Sequence, residues 1–154
     1  MRVLMVCLGN ICRSPLAQGI LEYKVNQRRL NWNIDSAGTS SWHIGEAPDK
    51  RSTSTAKLHG INISRQRARQ FTASDFSHFD LILAMDSSNY QDIISLSEEN
   101  EERMKIKLIM NFVWPEQNMA VPDPYWDGNF ERVFQLLDKA CDKILEVHSL
   151  NINE

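Results

Sequence analysis

The 154-residue chain has little cysteine, little histidine and no long apolar run. Three cysteines, an odd number without framework spacing, argue against a disulfide-stapled secreted fold and suit a reducing compartment. Four histidines without ligand spacing offer no motif for a metal centre. The first apolar run ends by Leu8, too short for a signal-peptide core or a membrane span. The sequence therefore predicts a cytoplasmic protein with no membrane partner. Neither sign of charge dominates: 17 Lys and Arg against 20 Asp and Glu give a net charge of -3. That balance argues against a nucleic-acid partner, which wants a basic face. No Gly-Lys-Ser or Gly-Lys-Thr occurs, which excludes a Walker phosphate loop.

What is present suits one globular domain over residues 1–154: 42% of the chain is hydrophobic, and no repeat, low-complexity tract or linker divides it. "RVLMVCL" (2–8), "LILAMD" (81–86) and "KIKLIM" (105–110) are continuous apolar runs of the kind buried on both faces in a parallel sheet. "WNIDSAGTS" (32–40) reads as a weaker strand entering a Ser/Gly loop. Helical patterns lie between them. Ser14 is a candidate N-cap with Pro15 at the first helical position, and Leu16, Ile20 and Tyr23 follow at helical spacing. "DKRSTSTAKLHG" (49–60) ends in Gly60, a C-terminal stop. "DSSNYQDIISL" opens on Asp86 or Ser87 as cap. "SEENEERMK" (97–105) reads as a solvated helix or loop. The longest amphipathic stretch, "DGNFERVFQLLDKACDKILEVH", buries Phe130, Val133, Phe134, Leu137, Ala140, Cys141 and Ile144. Strands alternating with helices predict an α/β fold, with ligands beyond the carboxyl ends of the strands. Cys7 lies at such an end.

The segment "VCLGNICRSPLA" joins that strand end to a helix start. Converging N–H groups and the helix dipole favour an oxyanion there, and the same field favours a thiolate at Cys7. Gly9 and Asn10 both tolerate left-handed backbone. Arg13 supplies a planar fork for two phosphate oxygens. Cys7 and Cys12 could alternatively be core thiols or half a metal site. A metal would need further ligands, and Cys141 sits in the final helix stripe, so neither metal nor cofactor is expected. Cys-x5-Arg followed by Ser, behind a buried strand and ahead of a helix, matches the cysteine-phosphatase signature.

The whole segment closely resembles the active-site loop of low-molecular-weight protein tyrosine phosphatases. "DSAGTSSWHIGEAPD", "HGI", "RQFTASDFSHFDLILAMDSSN" and "VPDPYWDG" resemble further landmarks in family order. The resemblance implies a three-layer α/β fold, a four-stranded parallel sheet flanked by helices. One departure is Gln18, where relatives usually carry glutamate.

It also implies roles. Cys7 would be the nucleophile that forms a phosphocysteine, and Arg13 the clamp on the phosphoryl oxygens. Leu8, Gly9, Asn10, Ile11 and Cys12 would line the phosphate loop, and Ser14 would donate to the Cys7 sulfur. His59, by sequence alone a helix-end histidine, matches one thought to brace Asn10. A phenolate leaving group has a pKa of about 10, so an acid is needed. Asp123, stiffened by Pro122 and Pro124, matches the family acid. Trp42, Tyr125 and Trp126 would wall a flat aromatic ring. Cys12 would form a reversible disulfide with Cys7, guarding it from over-oxidation. The implied substrate is a phosphotyrosine-containing protein, met by a monomer or weak dimer.

Three rivals remain in view. Arsenate reductase on this fold needs a further cysteine pair near the third strand, and "LILAMDSSNYQD" has none. Protein arginine phosphatase carries a small polar residue where Ile11 stands. A dead phosphotyrosine-binding module would have lost Cys7, Arg13 or Asp123, and all three are present.

Overall fold

The structure, a computed structural model, describes residues 1–149. Four strands, β1 (Arg2–Cys7), β2 (Asn33–Gly38), β3 (Leu81–Ala84) and β4 (Ile106–Leu108), form one all-parallel sheet in the order β2-β1-β3-β4. The apolar runs become strands because both faces are covered. Val3, Met5, Leu81 and Leu83 enter one core with Leu16, Ile20, Leu137 and Ile144. Leu4, Val6, Ile82 and Ala84 enter a second with Phe71, Phe76 and Ile93. This period-two division is the pleat of a doubly covered sheet, and it gives the three layers that the family resemblance implies.

Helix α1 (Arg13–Gln27) and the last helix, α7 (Phe130–Ser149), pack together over the first face. Every residue expected on the α7 stripe is buried. Helices α2 (Lys50–Leu58) and α4 (Ser87–Leu96) are capped by the Asp49 and Asp86 side chains, which accept from Arg51 N and Asn89 N. Gly60, at φ +79°, ends α2 as anticipated. The acidic tract forms α5 (Asn100–Met104), with no buried residue. Two four-residue helices, α3 (Asp75–His78) and α6 (Pro124–Asp127), carry too few residues to show a period in sequence. The expected third long strand shortens because Ile109–Phe112 winds into a 3-10 turn. Among the described residues no helix is long and apolar enough to cross a membrane.

Two expectations for α1 need correction. Its cap position is Cys12, not Ser14, with no side-chain capping bond. Ser14 lies inside the first turn, with its hydroxyl engaged elsewhere, and Pro15 is third in the helix, where the missing N–H is still harmless. Tyr23 is not on the buried stripe; it stands exposed and accepts from Gln27 Nε2.

The chain runs from β1 outward to β2 and then returns to place β3 on the other side of β1. That reversal opens a crevice beyond the carboxyl end of β1, where Cys7 sits. The register of the crevice depends on α1, and α1 approaches the 61–63 segment closely at Gly19. A Cβ there would lie 2.5 Å from Ile63 Cγ2 and 3.2 Å from Ile61 Cγ2. Gly19→Ala should therefore destabilise the protein, by about 1–3 kcal/mol of overpacking reduced by up to about 1 kcal/mol of helix propensity. A lower urea midpoint is the expected result; a higher one would show that the helix yields without cost.

Candidate active site

The loop from Cys7 to Arg13 wraps around the Cys7 sulfur. Asn10 N donates to Cys7 Sγ at 3.3 Å, and Ser14 Oγ stands 3.0 Å away. Among the described residues, the N–H groups of Gly9, Ile11 and Cys12 donate to no protein acceptor, which leaves them for an anion. Only Asn10 takes the left-handed conformation, at φ +57°. Gly9 does not; His43 packs over it, with Cδ2 3.0 Å from where a Cβ would be. Behind the loop, a Cβ on Gly38 would lie 2.8 Å from Leu8 O. Glycine there lets β2 pack against the loop backbone.

The direction of the Ser14 hydroxyl follows from its neighbours. Arg69 N can only donate, and it meets Asn10 Oδ1 at 3.1 Å. That fixes the Asn10 amide with Nδ2 facing Ser14 Oγ (2.8 Å) and Ser36 Oγ (2.9 Å). Ser14 Oγ accepts from the amide, so its single proton is available for Cys7 Sγ. Ser36 donates to Gln18 Oε1 at 2.6 Å, and Gln18 Nε2 donates to Glu22. The Gln18 carbonyl thus accepts here just as a carboxylate would, and the departure from the family pattern leaves no gap in the chain. Glu22 is held above the usual carboxylate range by burial.

Arg13 is 4% exposed. Its Nη1 donates to Asp86 Oδ2 and to Val121 O, both at 2.8 Å, while Nη2 stands 4.0 Å from Asp123 Oδ2. Asp86 caps α4 with its other oxygen, so the helix cap fixes the carboxylate that fixes the guanidinium. Asp123 caps α6: Oδ1 accepts from Tyr125 N at 3.0 Å, which leaves Oδ2 turned toward Arg13. It is kept out of the helix interior, as its flanking prolines anticipate.

Cys7, Arg13 and Asp123 share a pocket of about 260 Å³ with Leu8, Gly9, Ile11 and Cys12. Trp42 and His43 form one rim, and Tyr125 and Trp126 the other. Trp42 and Trp126 are 72% and 85% exposed, so the walls stand open rather than folded over the loop. Asn10 and Ser14 lie behind the pocket rather than in its lining. The Cys12 thiol is held protonated: burial first, then the charges of Asp49, Cys7 and Asp123, push it up to about 12.

One expected residue is elsewhere. His59 makes no contact with Asn10; its Nε2 meets Glu131 at 2.9 Å and its ring stacks on Phe134 at 3.8 Å. It ends α2 and braces α7, the role its helix-end position suggests. Asn10 is braced instead by Arg69 N, which donates to it, and by Ser14 and Ser36, which accept from its amide. The sequence also left unassigned Asp86, Ser36, His43 and Arg51. Asp86 was visible as a cap, and its place after a strand beside β1 was the signal of a site role. Ser36 carried no such signal.

A family model described as "low molecular weight phosphotyrosine protein phosphatase" matches residues 2–153. A Synechocystis protein named for low molecular weight protein-tyrosine-phosphatase activity is 45% identical over 149 residues, 94% of each chain. The crystal structure of YfkJ from Bacillus subtilis superposes with a TM-score of 0.92 at 36% identity, covering 98% of this chain and 96% of the other. DARP, a Drosophila arginine phosphatase, superposes with a TM-score of 0.86 at 34% identity, covering 96% of this chain and 98% of the other. The chain belongs to the low molecular weight phosphotyrosine protein phosphatase family.

Proposed function

We propose that the pocket hydrolyses phosphotyrosine and other aryl phosphate monoesters in two steps through a phosphocysteine at Cys7, within a single phosphatase domain over residues 1–154. The reading rests on the Cys7 sulfur, which receives the Asn10 N–H and the Ser14 proton beside a buried arginine. Donors aimed at sulfur suit a thiolate nucleophile. In the first step the thiolate attacks phosphorus, the P–O ester bond breaks, and the Asp123 proton goes to the leaving phenolate. Arg13 Nη2 and the free loop N–H groups hold the equatorial oxygens. In the second step Asp123 takes a proton from water, the water oxygen bonds to phosphorus, and the P–S bond breaks. Inorganic phosphate leaves and the thiolate returns.

The open rims of Trp42, Tyr125 and Trp126 suit a tyrosine presented by a protein surface. Three free cysteines support a reducing, cytoplasmic location. Ile11 bears on the second reading, an arginine phosphatase. Its side chain is packed with Cys12, Ala68 and Phe130 and lines the pocket, where it crowds a branched guanidinium phosphate more than a flat ring.

Cys7→Ser should abolish metal-free hydrolysis of an aryl phosphate, by at least about 10³-fold. On a substrate panel phosphotyrosine should exceed phosphoarginine, and the reverse order would overturn the substrate assignment. Asp123→Asn should slow phenyl phosphate by about 10²-fold or more and 4-nitrophenyl phosphate less, because nitrophenolate needs its proton less. Equal slowing would remove Asp123 as the acid. Cys12 is the proposed redox partner: peroxide oxidises the Cys7 thiolate to sulfenic acid, the Cys12 sulfur displaces hydroxide from it, and disulfide and water result. Because burial pushes Cys12 up to about 12, its thiolate fraction rises about tenfold per pH unit below that value. Bridging should quicken accordingly between pH 7 and 9, read by mass spectrometry; sulfinic Cys7 without a bridge would sink the proposal.

A further inference from the structure

The nucleophile loop and the Asp123 loop are far apart in sequence, and the first turn of α2 touches both. On one side, Asp49 N donates to Ile11 O at 2.8 Å and Ser52 Oγ to Cys12 O at 3.0 Å. On the other, Arg51 Nη1 and Nη2 each reach Tyr125 O at 3.3 Å. The guanidinium is aimed by Asp49, whose two oxygens accept from Arg51 Nε at 3.1 Å and Nη2 at 3.0 Å. Its Cζ lies 5.5 Å from the Tyr125 ring centroid and 4.7 Å from that of Phe130.

The Asp123 loop has few other ties. Val121 is fixed by Met85 O and Arg13, and Phe130 is buried at the start of α7. Among the described residues, hydrogen bonds from outside the loop reach residues 122–127 only from Arg51. Asp123 itself meets Arg13 only at 4.0 Å. We propose that Arg51 is a positioning residue that sets the distance between the Asp123 carboxyl and the Cys7 loop, a role that rests on reading Asp123 as the acid. Arg51 holds Tyr125 O, Tyr125 N holds Asp123 Oδ1, and the α2 turn holds the other end against the phosphate loop. Lysine would not reproduce the arrangement fully, because one ammonium cannot serve Asp49 and the Tyr125 carbonyl with a planar fork.

The test compares kcat/KM for phenyl and 4-nitrophenyl phosphate in Arg51→Met, Arg51→Lys, Asp123→Asn and the Arg51→Met/Asp123→Asn double variant. Methionine keeps apolar bulk over Tyr125 and Phe130 but removes the donors. A displaced acid should slow phenyl phosphate about tenfold or more and 4-nitrophenyl phosphate markedly less. Arg51→Lys should recover part of the loss, and it serves as the reporter if the methionine variant melts early. In the Asp123→Asn background Arg51→Met should add less than about twofold, since the group it positions is already gone. Equal slowing of both esters by the Arg51 variants, or a double variant showing the product of both losses, would overturn the positioning role alone. Equal slowing of both esters by Asp123→Asn would overturn the acid assignment and the Arg51 inference with it.

Discussion

The site is organised around the orientation of one side-chain amide. A backbone N–H cannot accept, so Arg69 N compels Asn10 to present its oxygen. Everything downstream follows: the amide nitrogen faces two serines, Ser14 can only pass its proton to sulfur, and Ser36 passes its own to Gln18. A flipped Asn10 would place a carbonyl against the hydroxyls and draw the Ser14 proton away from the sulfur, leaving it only the Asn10 N–H. The Arg69 backbone is itself held by its side chain, which is clamped between Asp35 and the buried Asp75. An ion pair some distance from the pocket thus fixes which way a proton points inside it. In a low-dielectric interior such a fully satisfied chain rigidifies its members, which is what the proposed nucleophile, Cys7, would need.

The fold brings three distant segments to one point. Cys7 ends β1, Asp86 follows β3, and Val121 and Asp123 lie in a loop tied back to Met85 beside β3. Because β1 lies between β2 and β3, the ends of neighbouring strands become neighbouring residues of the crevice. Arg13 is the common ligand: one nitrogen accepted by Asp86 and Val121, the other turned toward Asp123. A guanidinium buried without such partners would be strongly destabilising. Its partners also leave it one rotamer, so the face offered to a phosphate is set before binding.

Much of this was legible in the sequence for reasons that are local. The three apolar runs announce strands covered on both faces, and Cys7, Arg13 and the following helix start are close enough in the chain to share one loop. The prolines around Asp123 announce a stiff loop but not a role, and its reading as an acid came from the resemblance of "VPDPYWDG" to the family. What was not legible is long-range. Nothing near Ser36 or Arg69 says that they meet the Cys7 loop, because those contacts follow from strand order. His59 illustrates the opposite error: its position in a matching tripeptide suggested Asn10, but its helix ends on the α7 side, where Glu131 and Phe134 meet it. Ser14 was read as a cap because caps are usually serines; here its hydroxyl is taken up by Asn10 and Cys7, and the helix begins two residues earlier than expected, without a side-chain cap.

Charge counting then constrains the proposed chemistry. Arg13 is already balanced by Asp86 at 2.8 Å, so the pocket does not meet a phosphate dianion with a free full positive charge. The deficit falls on the loop N–H groups and the helix dipole, which carry no mobile counter-charge and need not be desolvated at the moment of reaction. Asp123 faces the same guanidinium at 4.0 Å. As a carboxylate it would repel the incoming dianion from the very nitrogen that should receive it. In the proposed first step it enters as a carboxylic acid, which would remove that repulsion and bring the proton that the leaving oxygen needs. Once the phenol has gone, the carboxylate left behind faces a phosphoryl group bonded to sulfur, with a water as its nearest available proton source. On the proposed mechanism the second step inherits its base from the first, because the two roles are one group before and after a single proton moves.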